Sequence, residues 1–149
     1  MRTPINRDGI SRIIDANVNR AKEGLRVCEE VARFILDNRS LTSRLKDIRH
    51  AINGATLGIL GPKEIVRSRR SSTDIGKGIY ANELKRGNYL DIFLANIQRS
   101  KESIRVLEEF AKLKDIKTAR RLKDIRYRLY DIEKKAIAAI CSITPKEHT

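Results

Sequence analysis

The stretch RSRRSSTDIGKG, residues 67–78, gathers Arg67, Arg69, Arg70 and Lys77 with four hydroxyls, two glycines and one carboxylate, Asp74. Guanidinium groups grip phosphate oxygens in pairs, and glycines at 76 and 78 let backbone N–H groups approach the same oxygens. The pattern is not a P-loop, because the Gly-Lys pair lacks the spacing of that motif and no strand precedes it. A lone carboxylate would weaken a loop that only attracts anions. It suits Mg²⁺, which is held by few carboxylates together with phosphate oxygens. Asp74 is thus the candidate metal ligand, with an exposed turn residue as the plainer alternative.

A second set of chemistry-bearing residues is written twice. ANVNRAKEGLRVCEEVARF (16–34) aligns without gaps on ANIQRSKESIRVLEEFAKL (95–113), with ten identities. Asn17, Arg20, Glu23 and Arg26 therefore recur as Asn96, Arg99, Glu102 and Arg105. At about 100° per residue, each asparagine lies beside an apolar stripe and each arginine on its flank. An asparagine so placed needs partners. It either fixes helix register by a hydrogen bond to the neighbouring helix or lines a polar cleft. Arg20 and Glu23 are spaced to pair at i,i+3, as are their copies. For Lys22, Glu29 and Glu30 the plainer expectation is a solvated lattice of ion pairs. Further on, Arg126, Tyr130 and Glu133 share one flank, where an aromatic ring could stack on a heterocycle.

The elements that carry these residues follow from the same repeat. RLKDIR occurs at 44–49 and again at 121–126, an offset of 77 against 79 for the longer segment. Apolar or small residues at 14, 18, 21, 25, 28, 32 and 35 form one helical stripe, repeated at 90, 93, 97, 100, 104, 107 and 111. Their partners run through 41, 45, 48, 52, 55 and 59, and through 118, 122, 125, 129, 132, 136, 139 and 143. Turn signals fall at 37–40, 61–63 and 112–118, with Ser40 and Asn88 as expected N-caps. The expected fold is all-α: a bundle of four long helices from a duplicated helical hairpin. One domain spans 1–149, with repeats at about 10–60 and 89–143. The connection at about 61–88 is longer than a bundle needs, and such long loops are more often functional or disordered than incidental.

Composition bounds the partners. The net charge of +13 points to anions: nucleic acid, phosphorylated metabolites or acidic lipid. Cys28 and Cys141 make no disulfide framework or metal spacing, and Cys28 falls on an apolar stripe as core packing. With only His50 and His148, histidine catalysis is not expected. No apolar run reaches membrane length and the N-terminus lacks a signal-peptide pattern, so a cytoplasmic protein is expected. Two other classes fit parts of this pattern. One is a basic nucleic-acid-binding module, although interleaved aromatics and a groove-reading motif are lacking. Another is a helical ATP-using transferase such as a corrinoid adenosyltransferase.

RIIDANVNRAKEGLRVCEEVARF, RSRRSSTDIG, LANIQRSKESIRVLEEFAK and RYRLYDIE occur in that order. Together, over about residues 10–135, they resemble a small helical family of hydroxymethylpyrimidine phosphate kinases, whose members occur alone or fused to thiamine phosphate synthase. The resemblance implies the standalone form and transfer of the ATP γ-phosphoryl group to the pyrimidine monophosphate, in thiamine biosynthesis. ATP and Mg²⁺ would be required, the partners being small molecules rather than nucleic acid or membrane, and a homo-oligomer is compatible. Where the family pattern has Arg-Asp-Thr ahead of Asp-Val-Gly, this chain has Arg69, Arg70 and Ser71 ahead of Asp74, Ile75 and Gly76. That leaves Asp74 as the loop's carboxylate. The implied roles place Asp74 on Mg²⁺ and Arg69, Gly76 and Lys77 on phosphate. Arg20, Arg99 and Arg105 would clamp the acceptor and the transferring group. Asn17, Asn96 and Glu102 would orient the pyrimidine or these arginines, with Glu23, Arg26 and Arg126 completing the site.

Overall fold

The computed structural model describes residues 6–61, 64, 73 and 85–143, and within them the chain is helical without a strand. Helix α1 (Arg7–Glu30) continues into a single π-helical turn (Val31–Ile35), followed by α2 (Arg39–Thr56). Helices α3 (Tyr89–Ala111) and α4 (Ile116–Ile143) form the second hairpin. The fold is thus the expected all-α bundle of four helices built from two hairpins. Arg69, Asp74, Gly76 and Lys77 lie outside the described residues. No helix among the described residues is long and apolar enough to cross a membrane.

Each helix begins on a side chain that satisfies an otherwise orphaned backbone N–H. Asn6 Oδ1 accepts from Gly9 N at 2.7 Å, and Asn88 Oδ1 accepts from Asp91 N at 2.9 Å, as expected for Asn88. For α2 the cap is Asn38, which accepts from Leu41 N at 3.0 Å. The expected Ser40 is already inside that helix, because Asn38 presents its oxygen two residues earlier. Asp115 precedes α4, accepting from Lys117 N at 3.1 Å and Thr118 Oγ1 at 2.9 Å. Counted along the repeat, Asn38 and Asp115 are the same position.

The apolar stripes form one core. Ile14, Leu25, Leu45, Ile52, Phe93, Ile104, Leu122 and Leu129 are fully buried within it. Each such side chain contributes roughly 1.5–3 kcal/mol of burial free energy. Two stripe positions depart from expectation: Ile35 is 46% exposed and Ile143 is 45% exposed. The π-helical turn widens the helix just before Ile35 and rotates it off the stripe; Ile143 is the last residue of α4.

The π-helical turn also accounts for the drift in repeat offset from 79 to 77. The first hairpin carries two more residues between its helices than the second. They are absorbed by Val31–Ile35 and by Asp37, which adopts the left-handed conformation with φ of 49°. Leu36 N then reaches Val31 O at 3.0 Å, and Asn38 N reaches Ala32 O at 2.9 Å.

The four helices pack in a ring, α1 against α3 and α2, and α4 against α3 and α2. Cys28 lies against Phe93, Gly24 against Asn96 and Ala21 against Ser100, so α1 and α3 run antiparallel. The repeat maps residue 21 onto residue 100, and Ser100 Oγ donates to Ala21 O at 2.9 Å. A pseudo-twofold axis therefore passes through this contact. Beside it, a Cβ on Gly24 would stand 2.3 Å from Ser100 Oγ and 2.6 Å from the Asn96 carbonyl oxygen. Glycine is needed there because backbone approaches backbone. Its copy, Ser103, has room for a side chain.

Candidate functional site

Each hairpin closes around a buried carboxylate. Glu29 on α1 accepts from Arg49 Nε at 2.6 Å and from Arg49 Nη2 at 3.2 Å. Glu108 on α3 accepts from Arg126 Nε, and from Arg126 Nη2 at 3.1 Å. Arg49 and Arg126 are the final arginines of the two RLKDIR segments, while Glu29 and Glu108 are copies in the longer repeat. Desolvated carboxylates such as these require a cation with matching geometry. The fork-to-carboxylate hydrogen bond pushes both guanidinium pKa values above their ordinary range. Arg26 and Arg105 add a second cation, each 3.7 Å from its glutamate. This corrects the expected solvated lattice for Glu29, which is only 6% exposed, with Glu108 at 2%. Glu30 and its copy Glu109 do face solvent. Lys112, at 3.0 Å, lowers the Glu109 pKa most, followed by Arg105 at 2.9 Å.

On the second hairpin the fork forms the wall of a cleft. A space of about 390 Å³ is lined by Gln98, Lys101, Glu102, Arg105, Arg126 and Tyr130. A neighbouring space of about 690 Å³ shares Arg105 and Arg126 and extends over Lys112, Arg120, Lys123 and Tyr127. Tyr127 and Tyr130 meet edge to face, with ring centroids 5.6 Å apart. Arg126 lies over both rings, at 5.2 and 5.7 Å, and its Nη1 donates to Tyr130 Oη at 2.9 Å. Lys101 and Lys123 flank the same rings at 5.2 and 5.9 Å. Lys101 is anchored by Glu133, with Nζ 2.9 Å from both carboxylate oxygens. The result is a row of alternating cations and aromatic rings, with half-exposed tyrosines available to a planar ligand.

The structure brings together Glu102, Arg105 and Arg126 of the expected site, with Tyr130 and Glu133 beside them. Other members lie elsewhere. Arg26 lines a separate cleft on the first hairpin. Glu23 pairs with Arg99 across α1 and α3 at 3.8 Å rather than with Arg20, which is exposed. Glu102 likewise turns to Gln98 Nε2 at 3.0 Å, away from Arg99. Asn17 Nδ2 donates to Ile13 O at 2.8 Å, and Asn96 Nδ2 to Ile92 O at 2.7 Å. Both amide groups thus bond back along their own helix, four residues earlier, and not to the neighbouring helix.

Lys101, Lys123, Tyr127 and Arg49 escaped the sequence reading. The signal for Lys101 was present: Glu133 lies seven residues beyond Arg126, on the same face of α4, and demands a cation. Cys28 is buried as expected, and burial pushes its thiol pKa up, with Glu133 and Glu29 adding to the rise. Among the described residues no group of three or more histidines, cysteines or carboxylates could hold a metal ion.

Comparison with known proteins gives a consistent assignment. The ThiD2 family profile matches residues 12–135, and the chain belongs to that family. It is 39% identical over 125 residues to a protein of Synechocystis sp. named thiamine-phosphate synthase, covering 83% of this chain and 35% of that protein. It is also 39% identical over 122 residues to the thiamine-phosphate synthase of Rhodopirellula baltica, covering 81% of this chain and 32% of that one. A Synechococcus thiamine-phosphate synthase is 41% identical over 125 residues, covering 83% and 34%. The chain thus spans about a third of the length of these relatives. No solved structure matches it. These names support thiamine biosynthesis and correct the expected reaction. The relatives are synthases, not kinases, so the phosphomethylpyrimidine kinase reading does not stand. ATP as phosphoryl donor falls with it.

Proposed function

For a ThiD2 family member with this cleft, we propose a role in the synthesis of thiamine phosphate, as the module that holds a phosphorylated heterocycle. The ring would lie against Tyr130 and Tyr127. The phosphate would be met by Arg105, Lys112, Arg120 and Lys123. The observation that carries this reading is the placement of two half-exposed aromatic rings between cations in adjoining open spaces. Arg126 is already committed to Glu108, so its task is to stiffen the wall and orient Tyr130. Glu102, exposed at the rim, offers a hydrogen-bond acceptor to a ring amino group. Mg²⁺ carried on the phosphate oxygens would complement this site.

Thiamine phosphate itself is the first probe. It should bind saturably and more weakly as salt rises, because the contacts are exposed charges. Unphosphorylated thiamine should bind about tenfold less well or worse, the loss of one charge-assisted contact of about 1.5–3 kcal/mol. Tyr130→Ala and Lys123→Glu should each weaken binding while leaving helicity unchanged. Equal affinity for thiamine and its phosphate, or indifference to both substitutions, would refute the proposal.

A further inference from the structure

The first hairpin has its own cleft, of about 320 Å³ between α1 and α2, lined by Glu30 and Thr42 and walled by Arg26, Glu29, Arg33, Lys46 and Arg49. Under the repeat the wall positions correspond to Arg105, Glu108, Lys112, Lys123 and Arg126. Four of the five pairs are identical, and the fifth exchanges one cation for another. The neighbouring positions on the paired helix have diverged completely: His50, Asn53 and Thr56 stand where the second hairpin has Tyr127, Tyr130 and Glu133. One part of the site has been kept in both halves, and the ring-binding part has not.

Packing explains only some of this retention. The Glu29–Arg49 fork holds α1 to α2, but Arg33 and Lys46 are exposed and form no ion pair with a described carboxylate. Glu29 is occupied by Arg49 and Arg26. The cleft is therefore left with cations that Glu30 alone does not balance.

We infer that the cleft of Arg26, Arg33 and Lys46, walled by the Glu29–Arg49 fork, is a second anion site, taking a phosphate or diphosphate group with no ring attached to the wall. It rests on the proposed function only in sharing three of the four phosphate-meeting positions of the second hairpin, those of Arg105, Lys112 and Lys123. Guanidinium forks and a lysine suit tetrahedral oxyanions. The absence of an aromatic lining residue and the smaller volume distinguish it from the second cleft.

Calorimetric titration of the full chain at low salt tests this, with inorganic pyrophosphate in one arm and thiamine phosphate in the other. Two equivalents of pyrophosphate are expected for the native chain. Arg33→Glu/Lys46→Glu should lose one equivalent and retain the other, as should Lys112→Glu/Lys123→Glu at the opposite cleft. Two equivalents with thiamine phosphate alone would assign the site to a phosphate ester and not to the free ion. The milder Arg33→Gln/Lys46→Gln, checked for helicity, repeats the test without charge reversal. A single equivalent in both arms, or stoichiometry untouched by either first-hairpin variant, would overturn the inference. The first of these outcomes, with thiamine phosphate still bound at the second cleft, leaves the proposed function standing. Two pyrophosphate equivalents without any thiamine phosphate binding would instead support the inference and sink that function.

Discussion

The two hairpins share a skeleton and differ in what hangs from it. Each buries one glutamate under one arginine fork, Glu29 under Arg49 and Glu108 under Arg126, at equivalent places. Only the second surrounds its fork with Tyr127, Tyr130 and the Lys101–Glu133 pair. A buried ion pair constrains geometry on both sides and tolerates little change, since removing either partner strands a desolvated charge. The exposed flank carries no such penalty. Duplication therefore leaves the fork fixed and the neighbouring surface free to acquire a ligand.

The sharpest way to break this comparison is to remove the fork from one half. Glu108→Ala should cost about 3–5 kcal/mol in urea unfolding, because Arg126 would remain buried without its carboxylate. Glu29→Ala should cost less, since Arg49 is 19% exposed against 13% for Arg126. Equal losses would show the halves to be energetically interchangeable, and reversed losses would refute the ordering by exposure. Next in size, Gly24→Ala should destabilise by about 1–3 kcal/mol, because the added methyl meets the Asn96 backbone. Ser103→Ala, its counterpart, removes only a hydroxyl bonded to Arg99 O and should cost under about 1 kcal/mol. Chemical denaturation of the pair measures the asymmetry of the α1–α3 contact.

Smaller still are the caps. Asn38→Ala should cost about 1 kcal/mol at any pH, since the amide does not ionise. Asp115 differs. The hydrogen bond from Thr118 and then that from Lys117 N hold its carboxyl below the ordinary range. A carboxyl lowered in the folded state stabilises fully above its unfolded pKa, and that contribution is lost as pH falls through the folded value. The second hairpin should thus carry an acid-dependent term below about pH 4 that Asp115→Asn abolishes. Thermal melts across that range, native against variant, provide the measurement.

Much of the architecture was legible because its signal is periodic. Stripes at helical spacing located the helices, and the two matched segments, 16–34 with 95–113 and RLKDIR with RLKDIR, located the hairpins. Glu102 and Arg105 share a helix flank by the same periodicity, whereas Arg126, on another helix, joined them only through the family resemblance. The burial of Glu29 could not be read this way, because a carboxylate beside an apolar stripe reads as solvated until its partner is found 20 residues away in Arg49. Nor could the pairing of Glu23 with Arg99, which depends on the antiparallel register of α1 and α3 and not on spacing within one helix. Asn17 and Asn96 satisfied the demand for a partner in the least visible way, by bonding to their own helix.

Where the axis crosses α1 and α3, Ala21 meets Ser100, each the image of the other. Away from an axis, a larger residue on one helix can be matched by a smaller one opposite, and the image contact adjusts separately. On the axis the two contacts collapse into one, so there is no second place to shed volume. The space must be divided between residues 21 and 100 alone, which holds both to side chains of the smallest class. Ser100 makes use of its share by donating to the facing backbone. The point of symmetry thus leaves little room for growth, and there a single hydroxyl ties the two halves together.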